Sequence, residues 1–122
     1  MSFKWGEFLE TARLLAQGSK ESEYRCSIGR SYYAVYHTLK KHFPFQDSSP
    51  SAHRGFYNHL QRNDDNWIVV AIGKKLQELY DNRHHADYKD FPEIKQHAAE
   101  GALRTAEDIL KKLDAYLKED EE

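Results

Sequence analysis

Three tyrosines, an arginine and two histidines fall between Cys26 and Pro44, in a stretch patterned as one helix. At 100° per residue they sort into two stripes. Gly29, Tyr32, Val35, Tyr36, Leu39 and Phe43 share one face and are expected in a core. Arg30, Tyr33 and His37 form a second, polar-aromatic stripe that needs a partner, a ligand or a site. Arg30 and His37 are seven apart, hence only about 20° out of register on a helix. An imidazole can move a proton near neutral pH, and a guanidinium can hold the negative charge that develops on a phosphate. The two together suit acid–base chemistry at a phosphate.

A second group lies at Arg83, Asp87 and Tyr88. Arg83 and Asp87 are four apart and can pair on one helix face. The structural expectation is an ion pair, with Tyr88 hydrogen-bonded so as to lock the helix end. The functional one has Arg83 facing a nucleotide or RNA phosphate, which suits its planar fork. Arg54 and His59 are a second arginine–histidine pair, but at five apart they diverge by about 140°. His53 is expected to cap or buttress the loop from Pro44 to Pro50. His84 and His85 diverge by about 100° and cannot share a metal ion. No Cys/His cluster has ligand spacing, and no phosphate-binding glycine loop or Ser/His/Asp set is present, so neither metal nor cofactor is expected.

Five helices would carry these groups. The first is predicted from after Ser2 to about Gln17, closed by Gly18 as C′ residue with Ser19 as the next N-cap. The second runs from about Lys20 to Phe43, the third from Ser51 to about Gln61, and the fourth from Trp67 to about His85. The fifth should start with Asp90 as N-cap, Pro92 in the first turn and Glu93 closing a capping box. Gly101 in its small-residue middle suggests close approach of another helix. Nothing reads as a strand, so the fold class is all-α: an antiparallel up-and-down bundle of four long helices and a short one.

With 122 residues, the chain has room for one core. The reading is a single domain over residues 1–118, with residues 119–122 as an acidic, disordered tail. A single cysteine, Cys26, excludes an internal disulfide framework and fits a reducing cytoplasm; it is expected to pack as a small apolar group. No apolar run approaches the roughly 18 residues of a membrane span, and the N-terminal residues do not resemble a signal peptide. Residues 1–62 hold nine Lys/Arg against five Asp/Glu, whereas residues 63–122 hold nine against fifteen. Any RNA contact should therefore be local and on the N-terminal half.

Three segments carry a family resemblance. Ser31-Tyr32-Tyr33-Ala34-Val35-Tyr36, then His53 in Ser51-Ala52-His53-Arg54-Gly55-Phe56, then Arg83-His84-His85-Ala86-Asp87-Tyr88, resemble in order and spacing the HEPN domain in its small stand-alone prokaryotic branch. The resemblance implies a helical bundle, a homodimer, and association with a small nucleotidyltransferase, often as a toxin–antitoxin pair. Some relatives are metal-independent RNases marked by an arginine followed, after four to six residues, by a histidine. Where that histidine is due after Arg83, this chain has Tyr88, Lys89 and Asp90. Some relatives are also adenylylated on a tyrosine near this motif, which would correspond to Tyr88, although their histidine two residues earlier is Ala86 here.

Three functions are therefore in view. The first is a nucleotide- or RNA-binding or docking module in a toxin–antitoxin or defence system, using Tyr33, His53, Arg83, Asp87 and Tyr88. The second is an active RNase toxin with Arg30, His37 and Arg83 as working groups. The third is a structural dimerisation domain whose tyrosine-rich face is only an interface.

Overall fold

A computed structural model describes residues 2–47, 49–63 and 65–121; among them are five α-helices and no strand. They are α1 (Glu7–Ala16), α2 (Glu21–His42), α3 (Ala52–Gln61), α4 (Trp67–Tyr88) and α5 (Gln96–Glu121). The bundle centres on α2, which packs on α1, α4 and α5, while α3 lies against α4. The core stripe read on α2 is where the periodicity puts it: Tyr32, Val35, Tyr36, Leu39 and Phe43 are all buried. They meet Phe56 and Leu60 from α3, Val69, Ile72, Leu76 and Leu79 from α4, and Ile109 from α5.

Local signals start two of the helices. The Glu23 carboxylate accepts the backbone N–H groups of Ser19 (3.2 Å) and Lys20 (3.1 Å), so Lys20 rather than Ser19 is the N-cap of α2. The Asn66 side chain accepts from the N–H groups of Ile68 (2.9 Å) and Val69 (3.4 Å) and caps α4. Gly18 has no positive φ; α1 closes instead with a tighter turn from Gly18 N–H to Leu15 C=O, 3.1 Å.

Several expectations are corrected by tertiary packing. The first helix begins at Glu7, because Phe3 and Trp5 form an aromatic triangle with Phe8 instead of continuing a helix. The capping box at Asp90 does not form, and α5 begins at Gln96. Its would-be first turn is held from α2 instead: Glu21 accepts the Ile94 N–H at 3.2 Å, and the Arg25 guanidinium donates to the carbonyls of His85, Ala86, Lys89 and Asp90. That same clamp closes the C-terminal end of α4, a role the sequence assigns to Tyr88, which is 67% exposed. Cys26 is exposed, not packed. Gly101 admits no close helix; it borders an open groove of about 960 Å³ between α4 and α5. The close approach occurs at Gly73, where an added Cβ would lie 2.9 Å from the Gln61 backbone nitrogen and from Leu60 Cβ. The backbone of α5 is helical to Glu121, and Glu122, the last residue of the acidic segment, lies outside the described residues.

Candidate functional site

Tyr32 and Tyr33 on α2 and Tyr80 on α4 surround one side chain, Arg83. The guanidinium carbon lies 5.3 Å, 5.4 Å and 5.3 Å from the ring centroids of Tyr32, Tyr33 and Tyr80. Tyr80 and Arg83 share a face of α4 because they are three apart, and that face meets the tyrosine stripe of α2. The side chain of Arg83 is only 9% exposed. Three electron-rich ring faces replace part of its lost hydration. Its Nη1 donates to Tyr33 Oη at 3.2 Å and to Asp87 Oδ2 at 3.2 Å. Its Nε is buried and has no partner among the described residues.

Behind the cage stands a histidine. The fully buried Tyr32 hydroxyl lies 2.5 Å from His53 Nδ1, and the imidazole stacks on Tyr36 with centroids 4.3 Å apart. Burial pushes the Tyr32 hydroxyl far up, so it keeps its proton and donates it to Nδ1. Burial also holds His53 below the usual imidazole value, helped by the positive charges of Arg83, His37 and Lys40. The ring is thus neutral at pH 7 with its proton on Nε2. His53 does not buttress the loop after Pro44; His59 stacks on Phe45 there at 5.1 Å, and Gly55 faces Phe45 and Asp47.

The polar-aromatic stripe of α2 divides three ways. Tyr33 turns to Arg83. His37 stacks on Trp5 with centroids 3.8 Å apart and lies 5.8 Å from the ring of Tyr33. Burial, then Lys40, lowers its affinity for a proton. Arg30 is exposed and lies over Phe8, its guanidinium carbon 4.9 Å from the ring. Of the sequence-derived residues, the structure gathers Tyr33, His53, Arg83 and Asp87, sets His37 at the edge, and turns Arg30 of α2 away against Phe8 of α1. Tyr88 stands outside, 5.0 Å from the ring of His84. His84 and His85 diverge as expected, the latter meeting the Pro92 carbonyl at 3.1 Å.

Sequence reading assigned Tyr32 and Tyr36 to the core and passed over Tyr80, Trp5 and Arg25. Tyr80 was discoverable, since it precedes Arg83 by three residues on a helix. Trp5 and Arg25 depend on partners distant in sequence, the ring of His37 and the carbonyls of residues 85–90. Among the described residues, no group of three or more His, Cys, Asp or Glu side chains could hold a metal ion. The cage can therefore offer a desolvated cation, a phenol and a neutral imidazole, which suit an oxyanion ligand.

Comparison with known proteins identifies the family. The family model of the HEPN domain matches residues 6–116. Two Methanocaldococcus jannaschii proteins, MJ0142 and MJ0605, each named as a suspected toxin, are similar to the chain. The first is 27% identical over 96 residues, covering 77% of this chain and 65% of that protein, just under two thirds of its length. The second is 28% identical over 116 residues, covering 93% of this chain and 83% of that protein. No solved structure matches the chain. With a family match that takes in the Tyr32–Tyr36 segment, His53 and Arg83 alike, the chain belongs to the HEPN family.

Proposed function

We propose that this protein is a HEPN module of the toxin–antitoxin type that binds an RNA or nucleotide phosphate through Arg83. Tyr33 and Asp87 orient the guanidinium, His53 holds Tyr32 in place, and the module works as a cytoplasmic homodimer with a nucleotidyltransferase partner. The names of the two archaeal relatives support the toxin–antitoxin setting. One observation carries the binding reading. A cation is enclosed by three tyrosines, yet its buried Nε has no partner among the described residues. A guanidinium kept only for structure is normally saturated with acceptors.

A second reading, a metal-independent RNase, draws on a different observation. Two imidazoles held in the neutral form, His53 and His37, lie on the same side of the molecule as Arg83; burial lowers the proton affinity of both, and for His53 the charges of Arg83 and His37 lower it further. A neutral imidazole is the form that can take a proton from a ribose 2′-hydroxyl, while a guanidinium would stabilise the pentacoordinate phosphate. Tyr88, Lys89 and Asp90 stand where relatives with this activity carry a histidine, so His53 or His37 would have to supply the base.

One experiment separates the readings. Purified protein is incubated with total tRNA in EDTA, and both retention and cleavage are measured for the wild type, Arg83→Lys, His37→Ala and His53→Gln. Binding without cleavage that weakens at least ten-fold in Arg83→Lys supports the module reading. Cleavage that disappears in a histidine variant supports the RNase. Retention unchanged in Arg83→Lys overturns the assignment of Arg83.

A further inference from the structure

Two arginines in this protein are engaged in opposite ways. Arg25 is saturated: Nε bonds Glu21 at 2.8 Å, Nη1 bonds three backbone carbonyls and Nη2 a fourth. Arg83 is the more deeply buried of the two, yet its recorded hydrogen bonds all run through Nη1, to Tyr33 and Asp87. Its Nε lacks a partner among the described residues. Of the pair, the Arg83 side chain is 9% exposed and the Asp87 side chain 38%, so Asp87 is the solvent-side member. On α2, facing Asp87, stands Gly29. A Cβ built there would meet only Asp87 Oδ1 within 4 Å, at 3.9 Å. Beside the carboxylate there is thus unfilled space into which it can turn.

The geometry points to Asp87 as a tethered counter-anion that occupies the oxyanion seat of Arg83 and is displaced when a phosphate binds. This inference rests on the reading of Arg83 as a phosphate-binding group and adds its regulation. A carboxylate and a phosphate present the same oxygen acceptors to a guanidinium, and two anions cannot share one cation without mutual repulsion. In the unliganded state Asp87 neutralises a charge that would otherwise be buried among ring faces with only the Tyr33 hydroxyl as acceptor. On binding, the phosphate takes Nη1 and the carboxylate swings toward Gly29 into water. Affinity is thereby kept low for single phosphates. Ligands that make further contacts, as a polynucleotide would along the same face, are favoured over them.

The test uses the full chain and inorganic phosphate as the probe. Binding is followed through the Arg83 Nε–H resonance in proton–nitrogen correlation spectra, assigned by its loss in Arg83→Lys. Asp87→Asn keeps an oxygen acceptor and removes the charge, and its thermal midpoint checks that the fold is intact. The expected result is phosphate binding about ten-fold tighter in Asp87→Asn than in the wild type at neutral pH, the effect of removing one adjacent negative charge. Equal or weaker binding in Asp87→Asn, with the Nε–H resonance still responding to phosphate, would overturn the inference and leave Arg83 as the binding group, with Asp87 only orienting it. An Nε–H resonance that responds in neither protein would refute the reading of Arg83 itself, and this inference with it.

Discussion

A guanidinium enclosed by tyrosine rings has given up most of its water, and single-residue changes reveal what it received in return. Replacing Arg83 by methionine keeps the length and apolar contacts of the stem and removes a buried charge that has few acceptors. Replacing buried ions by apolar groups of similar volume is often neutral or stabilising when no buried charge is left unpaired, because desolvation of the ions costs more than their contacts return. The Asp87 carboxylate left behind is on the solvent side and loses little. Arg83→Met should therefore hold or raise the thermal midpoint while abolishing retention of tRNA. An arginine present only for stability would give the reverse, a loss of about 3–5 kcal/mol in a urea titration.

At the scale of elements, two contacts decide how helices meet. Gly73 lets the end of α3 sit against α4, with the Gln61 backbone nitrogen 2.9 Å from where a Cβ would be. Alanine in place of glycine gains about 1 kcal/mol of helix propensity in a helix interior. Here it must also push backbone away, and overpacking of this kind costs about 1–3 kcal/mol. The second effect wins, so Gly73→Ala should lower stability, read as a reduced urea midpoint with an unchanged slope. Arg25 ties α2 to the α4–α5 connection through four carbonyls and Glu21. Charged hydrogen bonds of this sort contribute about 1.5–3 kcal/mol. Arg25→Ala should release residues 85–94 first, seen as faster amide hydrogen exchange there while the α2 core stays protected.

For the whole molecule, the two neutral histidines link folding to pH. Burial lowers the proton affinity of His53 and His37 in the folded state below the ordinary value of 6.5. The unfolded chain then binds protons first as pH falls. Their contribution is complete above about pH 6.5 and is lost as pH drops through the lower folded values. Urea midpoints measured at pH 7.5, 6.0 and 5.0 should decline in that order, and His53→Gln should flatten the decline. A midpoint independent of pH across this window would contradict the neutral assignment. The same protons bear on function: a charged His53 can no longer accept from Tyr32, and it adds a second positive charge beside Arg83. None of the described helices is long and apolar enough to cross a membrane.

Helix periodicity was enough to identify α2, α3 and α4, because buried faces recur every three to four residues whatever lies opposite. It put Tyr32, Val35, Tyr36 and Leu39 inside, and the ordered motifs at Ser31–Tyr36, His53 and Arg83–Tyr88 pointed to the right family. The i,i+4 pairing of Arg83 with Asp87 was legible for the same reason, since both partners lie on one helix. What the sequence could not show was which partner a side chain would choose when several were within reach. Asp90 and Glu93 form a plausible local cap, yet Glu21 and Arg25, more than sixty residues away, take over that segment. Arg30, Tyr33 and His37 share a stripe on α2 but part company, because Phe8 of α1 and Trp5 just before that helix meet two of them and α4 supplies Arg83 to the third. Local spacing determines the face a residue occupies; the charge, ring or carbonyl it meets there is set by how distant elements pack, and only the tertiary structure decided that.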